Sequence, residues 1–67
     1  MSNSFDTDGN QLFTKFTEWE VACHSRGLQG PIDDELHFQV IFRDSKGNIQ
    51  ANWNKDSNQG ILNKFQP

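Results

Sequence analysis

The chain has 67 residues, a formal net charge of −3, 33% hydrophobic residues and a single cysteine, Cys23. A chain of this length forms at most one domain, and we expect one domain over residues 1–67 with a loose N-terminal tail at about 1–5. The lone cysteine excludes an internal disulfide framework, and the acidic balance argues against a general nucleic-acid binder, which carries a basic surplus.

The N-terminal residues, MSNSFDTDGNQ, contain no basic segment followed by an apolar run, which is the pattern of a secretory signal. No stretch approaches the roughly 20 apolar residues that a transmembrane helix needs. A single cysteine also fits a reducing compartment. The sequence therefore predicts a soluble, cytoplasmic protein.

The first predicted element is an amphipathic helix over about residues 9–26. Leu12, Phe16, Trp19 and Cys23 follow one another at i, i+4, i+7 and i+11, which places them on one helical face. The same segment also alternates polar and apolar residues from position 17 to position 24, and it is rich in strand-forming side chains. The alternative is therefore a strand here, within a small, mostly-β sheet or barrel.

Residues at both ends of this segment favour the helix. Asp8 can act as the N-cap, with Gln11 as the reciprocal partner of a capping box. Gly27 stands where a left-handed residue would end the helix, and Leu28 can fold back toward Cys23 as in a Schellman motif. The predicted helix thus has a start, an apolar face and an end that agree.

A β-hairpin is predicted over about residues 35–43 and 48–54. The apolar residues of the first strand occupy alternate positions: Leu36, Phe38, Val40 and Phe42. The pentapeptide DSKGN between the strands has the Asp, Ser and Gly that suit a short hairpin loop. The hairpin therefore has one buried face, against which the helix packs.

A second pentapeptide of the same pattern, DTDGN, occupies residues 6–10. It also resembles the start of an EF-hand calcium loop, but Gln11 stands where that loop needs Gly and Thr17 where it needs Glu. Asp, Ser, Thr, Gly and Asn are common in both turns and helix caps. We interpret this copy as the cap of the helix, with a hairpin turn as the alternative.

The C-terminal segment GILNKFQP predicts either a short helical turn or a third strand, and we favour the helical turn. The predicted fold class is α+β: the N-terminal helix packed on the hairpin, closed by this segment. A two-stranded hairpin is marginally stable alone. A homodimer in which an edge strand pairs with its copy would complete the sheet.

The sequence carries no pattern of a catalytic, cofactor or metal site. Cys23 and His24 are neighbours and diverge on a helix or a strand, and with His37 they lack the spacing of zinc ligands. Glu18 and Glu20 would diverge on a helix. We therefore expect a protein that is not an enzyme and that uses no cofactor.

The leading functional hypothesis is a small regulator or inhibitor that binds a larger protein through its hairpin, an edge strand and its helix surface. Ile41 draws attention because it is the one large apolar residue on the polar face of the first hairpin strand. The candidate partner-binding residues are His37, Gln39, Ile41, Arg43, Trp19 and Trp53.

Two alternatives remain at this point. One is a nucleic-acid-binding module in which hairpin cations contact phosphates and an aromatic ring stacks on a base. Its candidate residues are Arg43, Lys46, Trp53, Lys55 and Lys64. The other is a structural subunit that is stable only within a larger assembly.

Overall fold

The computed structural model describes residues 4–5 and 8–64 and contains one helix and one antiparallel sheet. The helix α1 spans Phe16–Ser25. The strands are β1 (Ser4–Phe5), β2 (Gln11–Phe13), β3 (Gln29–Asp34), β4 (Gln39–Arg43), β5 (Ile49–Asn54) and β6 (Gln59–Leu62). The predicted α+β class is therefore confirmed, with more strand than the sequence indicated.

The sheet has the strand order β1-β2-β6-β5-β4-β3, and every neighbouring pair is antiparallel. Strands β3 to β6 form a continuous meander joined by short turns. Helix α1 connects β2 to β3, which is the far edge of the sheet. Strand β6 lies between β2 and β5, so it joins the N-terminal hairpin to the meander.

The hydrophobic core lies between α1 and one face of the sheet. Its buried side chains come from both layers: Phe13, Trp19, Cys23, Val40, Phe42, Ala51, Trp53 and Leu62. The Trp19 ring meets Phe42 nearly edge-on, with ring centroids 5.1 Å apart. Such aromatic pairs contribute about 0.5–1.5 kcal/mol beyond their buried area, so Trp19 is the centre of this small core.

The helix begins at Phe16, so the prediction that it starts near residue 9 is wrong. Residues 11–13 form β2 instead, and Phe13 pairs with Gly60 of β6. Leu12 of β2 continues the apolar spacing of α1, so residues of a strand and a helix together fit the pattern of one helical face. Phe13 buries in the same core as Trp19. Asp8 therefore precedes a strand, and the N-cap position belongs to Lys15, which makes no side-chain cap bond.

The predicted end of the helix is confirmed. Gly27 has φ of 73°, and its N–H donates to the His24 carbonyl at 2.9 Å. The Leu28 N–H donates to the Cys23 carbonyl at 3.3 Å. These are the two hydrogen bonds of a Schellman motif.

The predicted strand over 35–43 is wrong in its first half, because β4 begins only at Gln39. Residues 35–38 form the turn that brings β3 back to β4. Strand β3 was not predicted, since its sequence QGPIDD contains Gly30 and Pro31 and lacks apolar alternation. Leu36 and Phe38, predicted as core residues, are consequently exposed.

Both pentapeptides connect paired strands, so the cap interpretation of the first copy is wrong. Phe5 pairs with Gln11 across the first copy, and the second copy connects β4 to β5. The glycines at the fourth position have nearly the same left-handed backbone, with φ of 85° at Gly9 and 88° at Gly47. The glycine of each copy therefore has the left-handed conformation that favours this residue.

Residues 60–62 of the C-terminal segment belong to strand β6, so the helical turn that we favoured is wrong there and the third-strand alternative is right. Phe65 lies outside the described residues. Within the predicted loose tail, Ser4–Phe5 form β1 and pair with β2, whereas residues 1–3 lie outside the described part.

The two strands of the predicted hairpin are interior strands, because β3 flanks β4 and β6 flanks β5. They offer no free edge for a second copy. The edges are β1 and β3, and β3 carries an irregular register between Gln29 and Ile32 around Pro31, which has no N–H. Such interruptions hinder the addition of another strand at β3, and the homodimer through an edge strand stays a prediction.

Candidate functional site

Two four-residue turns lie side by side at one end of the sheet. The 35–38 turn connects β3 to β4, and the 55–58 turn connects β5 to β6. The Lys55 N–H donates to the Phe38 carbonyl at 2.7 Å, which ties the two turns together. This pair of turns is opposite to the end that carries the two pentapeptides.

The two turns share a left-handed fourth residue and one hydrogen bond from the backbone to a side chain. Their fourth residues, Phe38 and Asn58, both have φ of 56°. The side chain before each turn accepts a hydrogen bond from the N–H of the third turn residue. The His37 N–H donates to Asp34 Oδ1 at 3.2 Å, and the Ser57 N–H donates to Asn54 Oδ1 at 3.1 Å. The turns thus form a matched pair that differs in its side chains.

Those side chains differ in polarity at two positions. Leu36 stands where the 55–58 turn has Asp56, and Phe38 stands where it has Asn58. Leu36 is 81% exposed and Phe38 is 59% exposed. Asn tolerates left-handed backbone, whereas a bulky side chain there is an outlier that costs roughly 1–3 kcal/mol. The isolated chain therefore leaves most of this apolar pair exposed and carries the strain at Phe38.

Hydrogen bonds hold the 35–38 turn in this conformation. The Phe38 N–H donates to the Glu35 carbonyl at 3.3 Å. The His37 ring Nδ1 lies 2.6 Å from Asp34 Oδ2, and this bond is the main reason that the pKa of Asp34 falls below its ordinary value. An ion pair joins Lys55 Nζ to Asp33 Oδ1 at 2.5 Å. Leu36 and Phe38 thus stand on an ordered turn next to an acidic segment.

The predicted partner-binding residues are dispersed. His37 is exposed in the 35–38 turn, and Gln39 and Arg43 are half-buried at the two ends of β4. Ile41 is only 9% exposed, and by strand alternation from Phe42 it faces away from the helix. Trp19 and Trp53 belong to the core, so they offer no binding surface.

The predicted nucleic-acid residues also lie at different places. Lys46 and Lys64 line a common cleft at the pentapeptide end, and Arg43 donates to the Gly47 carbonyl there at 2.8 Å. Lys55 is at the opposite end, beside Asp33. Trp53 is buried in the core and cannot stack on a base.

The single thiol is a core group. Cys23 is fully buried, and burial raises its pKa to about 12, so the thiol is protonated at neutral pH. A protonated, inaccessible thiol is a poor nucleophile and a poor metal ligand. In the described part of the chain, no three His, Cys, Asp or Glu side chains are grouped so that they could hold a metal ion.

Sequence reasoning missed Leu36 and Phe38 as surface residues because their alternation with Val40 and Phe42 fits a strand. One signal was present: each turn follows Asp or Asn and precedes Gln, in the strings DELHFQ and NKDSNQ. Aligning these strings places Phe38 beside Asn58, a residue typical of left-handed turn positions.

No protein-family model, curated protein or solved structure matches this chain. Among the residues that the structure describes, no helix has the length and apolar character required to cross a membrane.

Proposed function

We propose that the protein is a non-enzymatic, protein-binding regulator or inhibitor that inserts Leu36 and Phe38 into an apolar pocket of a larger protein. The contrast between the two matched turns carries this proposal. The 55–58 turn uses Asp56 and Asn58, which suit an exposed turn, whereas the 35–38 turn carries two large apolar side chains, with Phe38 at the same left-handed position as Asn58. Strained backbone positions cluster at functional sites, and neighbouring exposed apolar side chains mark interaction surfaces.

The energetics of such an anchor are favourable. Burying apolar surface contributes about 25 cal/mol per Å², so one fully buried Leu or Phe contributes about 1.5–3 kcal/mol. The 35–38 turn is already ordered by the hydrogen bonds at Phe38 and Asp34. Because little backbone freedom is lost on binding, more of this energy appears as affinity.

Charge defines the partner further. The acidic residues Asp33, Asp34 and Glu35 immediately precede the apolar pair. Complementary charges across an interface accelerate association and select partners. We therefore expect an apolar pocket with a basic rim on the partner. The single buried thiol at Cys23 is compatible with action in the cytoplasm.

The test compares the native chain with a double variant, Leu36→Asp with Phe38→Asn, which copies the side chains of the 55–58 turn. A tagged chain first captures its partner from nuclease-treated extract, and mass spectrometry identifies the partner. Calorimetry with the purified partner then measures both affinities. We expect the double variant to weaken binding at least hundredfold, since each anchor residue in an interface contributes roughly 2 kcal/mol or more.

The matched control is Val21→Asp, which places a charge at a helix residue that is 66% exposed and remote from the turns. It should leave the affinity unchanged. Equal affinity of the native chain and the double variant would refute the proposal, as would an equal loss in the control. Capture that disappears with nuclease would instead favour nucleic-acid binding.

A further inference from the structure

A polar cleft of about 780 Å³ lies at the pentapeptide end of the sheet. Four parts of the chain meet there: the loop before β2, the C-terminal end of α1, the β4–β5 turn and the end of β6. Its polar and basic lining residues include Asn10, Arg26, Lys46, Asn48, Gln50 and Lys64. A volume of this size is typical of small-molecule sites, which lie between roughly 300 and 1,000 Å³.

Both copies of the repeated pentapeptide contribute to this cleft. Their last residues are Asn10 and Asn48, and both line it. The Lys64 N–H donates to Asn10 Oδ1 at 2.9 Å, which fixes the end of β6 against the first copy. In the second copy, the Asn48 N–H donates to Asp44 Oδ1 at 2.8 Å. The repeated motif therefore places two side-chain amides around one cavity.

The charge in the cleft is positive, because Arg26, Lys46 and Lys64 outnumber the single carboxylate, Asp44. The Asp44 oxygens accept hydrogen bonds within the turn, including those from the Lys46 N–H at 3.0 Å and from Gln50 Nε2 at 3.2 Å. Within the described residues, neither the Lys46 nor the Lys64 ammonium forms an ion pair with a carboxylate. Two ammonium groups are thus available to an anion.

We propose that this cleft binds a small polyhydroxylated molecule that bears a phosphate or sulfate ester. Lys46 and Lys64 hold the anionic group, since ammonium groups form strong charge-assisted hydrogen bonds with such oxygens. The side chains of Gln50 and Asn63, which also line the cleft, present amide oxygens that accept hydrogen bonds from ligand hydroxyls.

The apolar content of the cleft argues against a nucleobase. Among the described residues that line it, Leu28 is the only apolar one, so no aromatic ring is present on which a base could stack. Lys55 lies at the opposite end of the sheet beside Asp33. An extended strand of nucleic acid would need this lysine as a further phosphate contact. The cleft therefore fits a compact ligand.

The test is a titration of the ¹⁵N-labelled chain, followed by backbone amide chemical shifts. The probes are inorganic pyrophosphate and glucose 6-phosphate, with glucose as the uncharged counterpart. We expect saturable shifts at Asn10, Asn48 and Lys64 with both anions and weak or no shifts with glucose. Lys46→Gln and Lys64→Gln should each weaken binding roughly tenfold, the usual effect of losing one hydrogen bond to a charged group.

Lys15→Gln is the matched control, because Lys15 precedes α1 at the other end of the molecule. It should bind both anions as the native chain does, and the amide spectrum of every variant should remain that of a folded protein. Three outcomes would overturn the proposal: no saturable shift, an equal loss in the Lys15 variant, or binding seen only with single-stranded oligonucleotides and increasing with their length.

Discussion

The indole of Trp19 lies against the backbone of Gly60. A Cβ atom at position 60 would lie 2.7 Å from Trp19 Cδ1 and 2.5 Å from Trp53 Cε3, which is closer than any van der Waals contact allows. This close approach brings Trp19 Nε1 within 3.2 Å of the Ile61 carbonyl, to which it donates. Position 60 must therefore lack a side chain for the helix to sit on the sheet.

Gly60→Ala should destabilise the fold by about 1–3 kcal/mol, because overpacking displaces core side chains. The free energy of unfolding in urea measures this loss. Ser57→Ala, in the exposed 55–58 turn, is the control and should change it by less than about 0.5 kcal/mol. Equal stability of the two variants would show that the Trp19 ring moves aside without cost.

Phe38 and Asn58 share a left-handed backbone, so placing Asn at position 38 and Phe at position 58 should change the free energy of unfolding in opposite directions. Phe38→Asn should keep or raise the free energy of unfolding, by up to about 1 kcal/mol, because Asn tolerates this conformation better. Asn58→Phe should lower it by a similar amount. Urea unfolding of both variants checks the signs. A loss of stability in Phe38→Asn would mean that the Phe38 ring contributes packing that outweighs the strain.

The Asp44 carboxylate should make the free energy of unfolding depend on pH in the acidic range. Hydrogen bonds, chiefly from the Asn48 N–H, hold the pKa of Asp44 below its ordinary 3.8. A carboxyl whose pKa is lower in the folded state stabilises that state above its unfolded pKa, and the contribution is lost as pH falls through the folded value. The difference in unfolding free energy between the native chain and Asp44→Asn should therefore be constant near neutral pH and shrink below about pH 4. A difference that does not change with pH would contradict this assignment.

The buried Cys23 thiol should lower the free energy of unfolding as pH rises in the alkaline range. The thiol has an ordinary pKa of 9.0, which burial raises to about 12 in the fold. Between these values the unfolded state loses its proton first, so this group makes stability fall as pH rises through that window. Cys23→Ala should lack this particular dependence. At pH 8, Ellman's reagent should react with native Cys23 only at the rate of unfolding, and rapid reaction without denaturant would contradict its burial.

The helix end was predictable because Gly27 and Leu28 form a local motif whose hydrogen bonds stay within one turn. The start was not, because Phe13 of β2 and Trp19 of α1 bury against the same core from different elements. Local periodicity cannot separate a strand from a helix when the chain changes direction between them. Propensity also failed at β3, where pairing with β4 imposes a strand on the segment QGPIDD.

The candidate sites were likewise predictable from the sequence only in part. The second pentapeptide was predictable as a turn from its composition, but its meeting with the first copy in one cleft depends on the position of β6 in the sheet. The exposure of Leu36 and Phe38 likewise depends on β3, which ends just before them. Both surfaces depend on pairing between strands that are distant in the chain, and a local sequence pattern does not reveal such pairing.

The position of β6 also governs how the chain acquires its structure during synthesis. The β1–β2 hairpin and the β3–β5 meander each form from neighbouring segments, but only β6 hydrogen-bonds to both. Until Gln59–Leu62 leaves the ribosome, Phe13 lacks its partner Gly60, and Trp19 lacks its hydrogen bond to the Ile61 carbonyl. We therefore expect the N-terminal hairpin to join the rest of the sheet only after nearly all described residues are translated.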